Sequence, residues 1–269
     1  MELLVVGAGT MGRWFARTVD AEVAFADRDP EAAAEAAAAV GGSTAALDGA
    51  ESFDVVAIAV PMSAAEDAIA GQAGRARHAV LDVTGEMGTA LDAMATQAPE
   101  LERASLHPLF APENAPGSVA VVVDAAGPEI DAVLADLEAA GNELFATTPE
   151  EHDTAMESVQ AAAHAAIVAY GLARESVPDG FATPVSAALD DVLEQVTKGD
   201  PGVYAEIQDR FDGADAVAEA AAAVADADPA ELRELVVEAR PELAADGDGS
   251  EENASARADD QSAAPEDDA

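Results

Sequence analysis

Short apolar runs alternate with amphipathic stretches through the first half of the chain. Seven runs have the length and composition of buried strands: Glu2–Val6, Glu22–Ala26, Asp54–Val60, Ala79–Asp82, Ala104–Leu106, Ser118–Val123 and Glu143–Ala146. The stretches between them have helical spacing: Thr10–Val19, Pro30–Ala39, Ser63–Ala73, Glu86–Ala95 and Pro128–Ala140. This alternation predicts an α/β domain with a doubly wound parallel sheet and helices on both faces.

The pattern becomes purely helical after residue 147. Thr148 as N-cap, Pro149 in the first turn and Glu151 as the capping-box residue begin a helix that we expect to run to about Glu175. Four more helices are predicted: Pro184–Thr197, Pro201–Asp209, Ala214–Ala225 and Pro229–Ala239. We therefore predict an α/β domain at 1–147, an all-α domain at 148–243 and a disordered acidic tail at 244–269.

The charge balance restricts the partners. Twelve Lys and Arg residues against 54 Asp and Glu give a formal net charge of −42, and Lys198 is the only lysine. Such a charge repels nucleic acids and anionic membranes, so neither is an expected partner. The acidic, lysine-poor and alanine-rich composition resembles that of proteins from extreme halophiles. With no cysteine, no signal-peptide pattern at the N-terminus and no apolar run near the roughly 20 residues that span a bilayer, a cytoplasmic location is expected.

A glycine motif follows the first predicted strand. Gly7, Gly9 and Gly12 form G-x-G-x-x-G with Thr10 and Met11 between the last two glycines. In this position Gly7 permits a tight turn, Gly9 lets the backbone approach a pyrophosphate, and Gly12 allows close packing of helix on strand. The helix N-terminus then presents free N–H groups to the phosphates. These residues predict a dinucleotide site in a Rossmann-type domain.

Two further pairs of residues extend the predicted cofactor site. Asp27 ends the second strand, where a carboxylate binds the adenosine ribose hydroxyls and repels a 2′-phosphate, which favours NAD over NADP. Arg28 is the counter-argument, because an adjacent arginine can accommodate that phosphate. Val60 and Pro61 are expected to border the nicotinamide side, although Pro61 would also simply end its strand.

Several short motifs together resemble the prephenate dehydrogenase family. The motif with a candidate catalytic histidine, Leu106-His107-Pro108-Leu109-Phe110-Ala111-Pro112, is similar to the family's H-P-[ML]-F-G-P, with alanine replacing the glycine. The other matching segments are Glu151-His152-Asp153, His164, Ala169-Tyr170-Gly171-Leu172 and Asp200-Pro201 with Tyr204-Ala205-Glu206-Ile207. The similarity covers nearly all of the chain that precedes the predicted tail.

The resemblance implies a chemistry for the histidines. His107 would accept a proton from the prephenate hydroxyl as hydride leaves for NAD, and His164 would bind substrate. We expect His152 to be structural at the domain junction, because twelve residues on a straight helix rotate His164 about 120° away from it. No close carboxylate–histidine spacing supports a metal site. The resemblance also implies a homodimer formed through the helical domain.

Two departures from the family pattern concern substrate binding. Gly85 and Met87 replace the serine and lysine of the family's D-x-x-S-x-K, and Thr84 is a candidate substitute hydroxyl. Gln195 falls where relatives carry an arginine that binds the substrate carboxylate, which makes Gln195 a candidate substrate contact.

The cation that would pair with the substrate is therefore not evident. Ala187 replaces a second common arginine, and Lys198 and Arg174 are candidate cations by position alone.

Three alternatives remain open. Arogenate, with an amine on the side chain, would suit the same motifs. Another reductase of this architecture would depend on a lysine in the helical domain, and Lys198 is the only one present. A catalytically silent NAD-binding regulator would explain the missing serine and arginine, whereas His107 and His164 argue against it.

We predict that the fold requires high salt. Repulsion at a net charge of −42 is relieved only by screening or bound cations, and the Debye length falls to about 3 Å at 1 M salt. Thermal melts across a potassium chloride series should show the melting temperature rising steeply towards molar salt. An unchanged melting temperature between dilute and molar salt would exclude the halophilic interpretation.

Overall fold

A computed structural model describes residues 1–178 and 180–240. The strands are β1 Glu2–Val6, β2 Glu22–Ala26, β3 Ser43–Thr44, β4 Phe53–Ile58, β5 Ala76–Asp82, β6 Glu102–Pro108, β7 Ser118–Ala125 and β8 Glu143–Ala146. The helices are α1 Thr10–Thr18, α2 Pro30–Val40, α3 Met62–Gln72, α4 Gly88–Gln97, α5 Pro128–Ala139, α6 Pro149–Met156, α7 Ala163–Ala173, α8 Pro184–Lys198, α9 Pro201–Arg210, α10 Gly213–Asp226 and α11 Pro229–Glu238.

The eight strands form one sheet in the order β3-β2-β1-β4-β5-β6-β7-β8. Strands β1 to β6 are parallel, and the strand order reverses direction between β1 and β4. Ligands of doubly wound sheets bind at such a switch point, beyond the carboxyl ends of the strands. The predicted Rossmann-type α/β fold followed by helices is confirmed.

The two faces of the sheet are both covered, and successive residues of β1 alternate between them. Leu3 and Val5 face a buried cluster that includes side chains of α1, α2 and α5. Leu4 and Val6 face a second cluster, to which α3 and α4 contribute. This two-sided burial explains why the strands consist of continuous apolar runs.

The direction of the last two strands differs from the prediction. β7 pairs antiparallel with β6, and β8 is parallel to β7, so the sheet is mixed rather than wholly parallel. The reason is the connection at 109–117, which contains only a 3₁₀ turn at Pro112–Asn114. A parallel crossover needs about a dozen residues or more, and usually a helix. The two-residue edge strand β3 was also not predicted, because it has no apolar run of its own.

The long helix predicted after Thr148 begins as expected but is not uniform. The Thr148 hydroxyl accepts a hydrogen bond from Glu151 N at 3.2 Å, as in the predicted N-cap. The predicted capping box does not form, because the Glu151 carboxylate accepts from the Thr147 hydroxyl instead. Between α6 and α7, however, Glu157–Ala162 is a π-helical segment. Because a π segment inserts extra residues into a turn, angles calculated for a straight α-helix do not apply across it.

All eight strands precede residue 147, and only helices follow it in the part of the chain that the structure describes. The chain divides into two compact units at a different position from the predicted boundary: one is Met1–Glu219, and the other begins at Ala220. The proposed boundary at 147/148 therefore stays a prediction. The predicted tail at 244–269 lies outside the described residues. No helix among those described is long and apolar enough to cross a membrane.

Candidate active site

The glycine motif forms a tight turn between β1 and α1. Gly7 has φ of 107°, and a Cβ there would lie 2.2 Å from the Ala59 carbonyl oxygen, just beyond β4. A Cβ on Gly12 would lie 2.2 Å from the Gly7 carbonyl oxygen, so only glycine allows α1 to pack this closely on the turn. A Cβ on Gly9 would meet no atom within 4 Å among residues 1–178 and 180–240, which leaves open space at the start of the helix.

The N-terminus of α1 has the features of an anion site. No side chain of the described residues caps α1, and Gly9 is its N-cap residue. Thr10 is exposed, whereas Met11 packs partly against the core. Free N–H groups at an open helix N-terminus bind phosphate, so this turn fits the pyrophosphate of a dinucleotide.

The Asp27 carboxylate lies beside the glycine turn. Its Oδ2 accepts a hydrogen bond from Ala8 N at 2.7 Å, and Oδ1 accepts one from Asp29 N at 2.9 Å. Asp27 therefore supports the turn and places a negative charge at the end of β2. Arg28 is exposed. Its role stays a prediction, as does that of Asp27 in ribose binding.

Val60 and Pro61 join β4 to α3, and Pro61 is the N-cap residue of this helix. Met62, which follows them, is buried in a small cluster with Met156, Ile207 and other residues of the helical segments. The segment after β4 thus contacts the helices that follow the sheet, next to the glycine turn. The predicted contact of Val60 and Pro61 with the nicotinamide stays a prediction.

His107 on β6 begins a chain of hydrogen bonds with two residues of α6. Its Nδ1 is 2.9 Å from His152 Nε2, and the two rings meet edge to face. His152 Nδ1 is 2.8 Å from Asp153 Oδ1. Both histidines are buried. His152 was expected only to stabilise the domain junction, but the structure also places it in direct contact with the candidate base.

The far end of this chain is fixed by backbone donors. Asp153 Oδ1 accepts a hydrogen bond from Met87 N, and Oδ2 accepts one from Gly88 N, both at 3.1 Å. Burial alone would raise the pKa of Asp153, but the hydrogen bonds from His152 and the two backbone N–H groups hold it below its usual value. Asp153 is therefore an ionised acceptor.

Hydrogen-bond chemistry then assigns the proton positions. An ionised Asp153 accepts from His152 Nδ1–H, so a neutral His152 has a lone pair on Nε2. That lone pair accepts from His107 Nδ1–H. Burial lowers the pKa of His107 to about 3, so this ring is neutral near pH 7. Its Nε2 consequently carries the unprotonated lone pair that a general base requires.

The surroundings of His107 Nε2 include residues that the motifs did not indicate. The Gln160 side-chain nitrogen lies 3.4 Å from it and is placed by the π-helical segment. A Cβ added to Gly85 would lie 3.7 Å from Nε2 but only 2.9 Å from Met62 Sδ. Met62 therefore occupies room that a serine at 85 would need. A π-helical turn leaves no clear sequence signal, so the position of Gln160 could not be predicted.

Thr84 and Met87 lie in the same loop as Gly85, and both side chains are held within the protein. The Thr84 hydroxyl lies 2.5 Å from Asp82 Oδ2 and 3.2 Å from the Glu86 carbonyl oxygen, and the residue is buried. Burial raises the pKa of Asp82 to about 6 despite the hydrogen bonds from Thr84. Met87 is fully buried in the core. The substrate contact expected of Thr84 stays a prediction, although its hydroxyl is already bonded within the protein.

The remaining substrate candidates lie on the later helices. His164 packs edge to face on Tyr204, with 4.9 Å between ring centroids, and its buried Nδ1 has no hydrogen-bond partner in the described residues. Burial lowers the pKa of His164. Gln195 is exposed on α8. The substrate contacts proposed for both residues stay predictions.

Comparison with known proteins agrees with this geometry. The family model described as NADP oxidoreductase coenzyme F420-dependent matches residues 2–99, which hold the glycine turn and β1 to β5. A 4-amino-4-deoxyprephenate dehydrogenase from Streptomyces pristinaespiralis is 30% identical over 243 residues, which cover 81% of this chain and 80% of the relative.

Solved structures extend the similarity through the helices. Prephenate dehydrogenase from A. aeolicus, in complex with hydroxyphenyl propionate and NAD+, is 20% identical, with a TM-score of 0.67 over 88% of this chain and 91% of that one. A putative prephenate dehydrogenase from Corynebacterium glutamicum is 18% identical, with a TM-score of 0.63 over 90% of this chain and 84% of that one. These likenesses show the same fold, and the 30% identity over most of both chains shows that this chain belongs to the prephenate dehydrogenase family of oxidoreductases.

Proposed function

We propose that this chain catalyses the NAD-dependent oxidative decarboxylation of prephenate to 4-hydroxyphenylpyruvate, a step of tyrosine biosynthesis. The observation that carries the proposal is the His107–His152–Asp153 chain, which leaves an unprotonated Nε2 on a buried histidine at the carboxyl edge of the sheet. A neutral imidazole in this position suits a substrate whose ring hydroxyl must be polarised. The cytoplasmic location stays a prediction.

The glycine turn and Asp27 are the residues that would bind the cofactor. When bound, NAD supplies the acceptor for the hydride that leaves the ring carbon carrying the hydroxyl. His107 Nε2 accepts the hydroxyl proton as that carbon is oxidised. The bond to the ring carboxylate then breaks, carbon dioxide leaves, and its electron pair makes the ring aromatic. The phenolic oxygen takes the proton back from His107, so the histidine is regenerated.

The prediction for His107 separates chemistry from cofactor binding. His107→Asn removes the base but stays close in size, so turnover of prephenate in molar potassium chloride should fall roughly 100- to 10,000-fold. NAD affinity, measured by fluorescence titration, should change little. His78→Asn is the matched control, because His78 is exposed on β5.

The pH dependence of the wild type gives a second test of the role of His107. Protonation of Nε2 would inactivate the base, but with a pKa of about 3 His107 stays neutral from about pH 6 to 8. Protonation of His107 should therefore cause no loss of the wild-type kcat/KM in this pH range. Near-normal turnover by His107→Asn would remove the main support for the mechanism.

Asp27 should set the choice of cofactor. Its charge near a 2′-phosphate costs a few kcal/mol at an effective dielectric constant near 20, so the wild type should prefer NAD. Asp27→Ala should weaken NAD binding and relatively improve NADP binding, with Arg28 free to assist. Asp27→Asn is the matched variant, because it removes the charge but keeps an oxygen that can accept from Ala8 N. A wild type that already prefers NADP would show that Asp27 is assigned wrongly.

A second candidate substrate follows from the S. pristinaespiralis relative, which is named for a prephenate with an amine in place of the ring hydroxyl. His107 Nε2 could accept a proton from either group. Arogenate, in which the amine is on the side chain, is the third candidate. Assays of the three substrates side by side would decide, and we expect the highest kcat/KM with prephenate.

We also propose a homodimer formed through α7. Of its eleven residues only His164 and Tyr170 carry polar groups, yet none is buried in the single chain, and Leu172 is 83% exposed. A helix that is apolar nearly all round is normally buried. Sedimentation in molar salt should give a dimer for the wild type and for the control Val123→Glu on β7, and a monomer for Leu172→Glu. A monomeric wild type would exclude the dimer.

A further inference from the structure

The proposed substrate carries two carboxylates, so the site of this acidic chain needs a cation. The two cations suggested by the sequence are already paired on the helices. Lys198 Nζ lies 2.7 Å from Glu194 Oε1, and both side chains are largely exposed. The Arg174 guanidinium lies 2.6 Å from Asp190 Oδ1, which also accepts from the Tyr170 hydroxyl. Neither pair involves the Gly85 loop, residues 83–87 between β5 and α4, which borders His107.

Arg210, at the end of α9, does reach that loop. Its guanidinium lies 3.5 Å from Glu86 Oε2. Glu86 follows Gly85, whose Cβ position is 3.7 Å from His107 Nε2. Among the ion pairs of the residues that the structure describes, this is the only one that brings an arginine or lysine to the Gly85 loop.

The backbone around Arg210 is anchored beside the site. The Glu206 carboxylate accepts hydrogen bonds from Met62 N at 3.1 Å and from the Ser63 hydroxyl, at the start of α3. Ile207 and Phe211, on either side of Arg210, are buried in the cluster that contains Met62. The position of the residue is therefore fixed, whereas its side chain is 31% exposed.

The contact with Glu86 leaves Arg210 able to bind another anion. A strong N–H···O bond between charged groups is about 2.7–2.9 Å long, so a separation of 3.5 Å is a loose pair. The other Glu86 oxygen, Oε1, accepts a hydrogen bond from the Thr89 hydroxyl at 2.6 Å, which holds Glu86 in the loop. A guanidinium has five N–H donors and matches a carboxylate in two-point geometry.

We propose that Arg210 binds a carboxylate of the substrate and that Glu86 competes with this carboxylate for the guanidinium. The proposal rests on the proposed function for the nature of the substrate. Arg210 thereby supplies the charge that Gln195 on α8 lacks. Glu86 neutralises the arginine when substrate is absent, so removing its charge strengthens substrate binding.

The test uses variants with opposite expected effects on the KM for prephenate, in molar potassium chloride. Arg210→Gln should raise KM about 10- to 100-fold, because a hydrogen-bonded charge pair is lost, while the KM for NAD stays unchanged and kcat changes less. Glu86→Gln should lower KM several-fold. In the double variant the gain from Glu86→Gln should vanish. Arg77→Gln, at the amino end of β5 and paired with Asp54, is the control and should leave KM for prephenate within about twofold.

A purely structural ion pair gives a different result. The Arg210→Gln and Glu86→Gln variants would then lower the melting temperature alike and move KM in the same direction or leave it unchanged, which would overturn the proposal. Arg210→Lys, which keeps the charge but loses the two-point geometry, should restore part of the affinity.

Failure of the proposed function is distinguishable from failure of this inference. A wild type that does not oxidise prephenate would overturn the function. Calorimetric titration of prephenate into the protein then still decides on Arg210, because it needs no turnover. Binding that Arg210→Gln weakens at least tenfold supports the inference, whereas binding that is absent or unchanged in the variant contradicts it.

Discussion

The site depends on one chain of hydrogen bonds, from His107 through His152 to Asp153. Asp153 is ionised because two backbone N–H groups and His152 donate to it. This fixed acceptor sets the tautomer of both imidazoles, and it leaves the lone pair of His107 on Nε2, beside Gln160 and Gly85. A lone buried histidine would have no such preference between its two nitrogens.

The fold brings the parts of this chain together from distant segments. β6 supplies His107 at the carboxyl edge of the sheet, and the first turns of α6 supply His152 and Asp153. The loop after β5 provides the backbone donors at Met87 and Gly88. The same loop contains the glycine that borders His107 Nε2, so its conformation affects both ends of the hydrogen-bond chain.

Much of the fold could be predicted from the sequence, because two-sided burial makes each parallel strand a continuous apolar run. β1 and β2 have the predicted bounds. The antiparallel direction of β7 could not be predicted from its own residues, since the short connection that determines it has no strong pattern. At the site, motifs identified His107, but the proximity of His152 and Gln160 to it depends on tertiary packing and a π-helical segment.

The most direct test is the protonation state of His107 in solution. Nitrogen-15 NMR of labelled histidine, with the resonance assigned by its loss in His107→Asn, reports which ring nitrogen carries the proton. The hydrogen-bond chain predicts a neutral ring with the proton on Nδ1 and no titration from about pH 5 to 8. An imidazolium that titrates near the ordinary histidine pKa of about 6.5, or a proton on Nε2, would contradict the account.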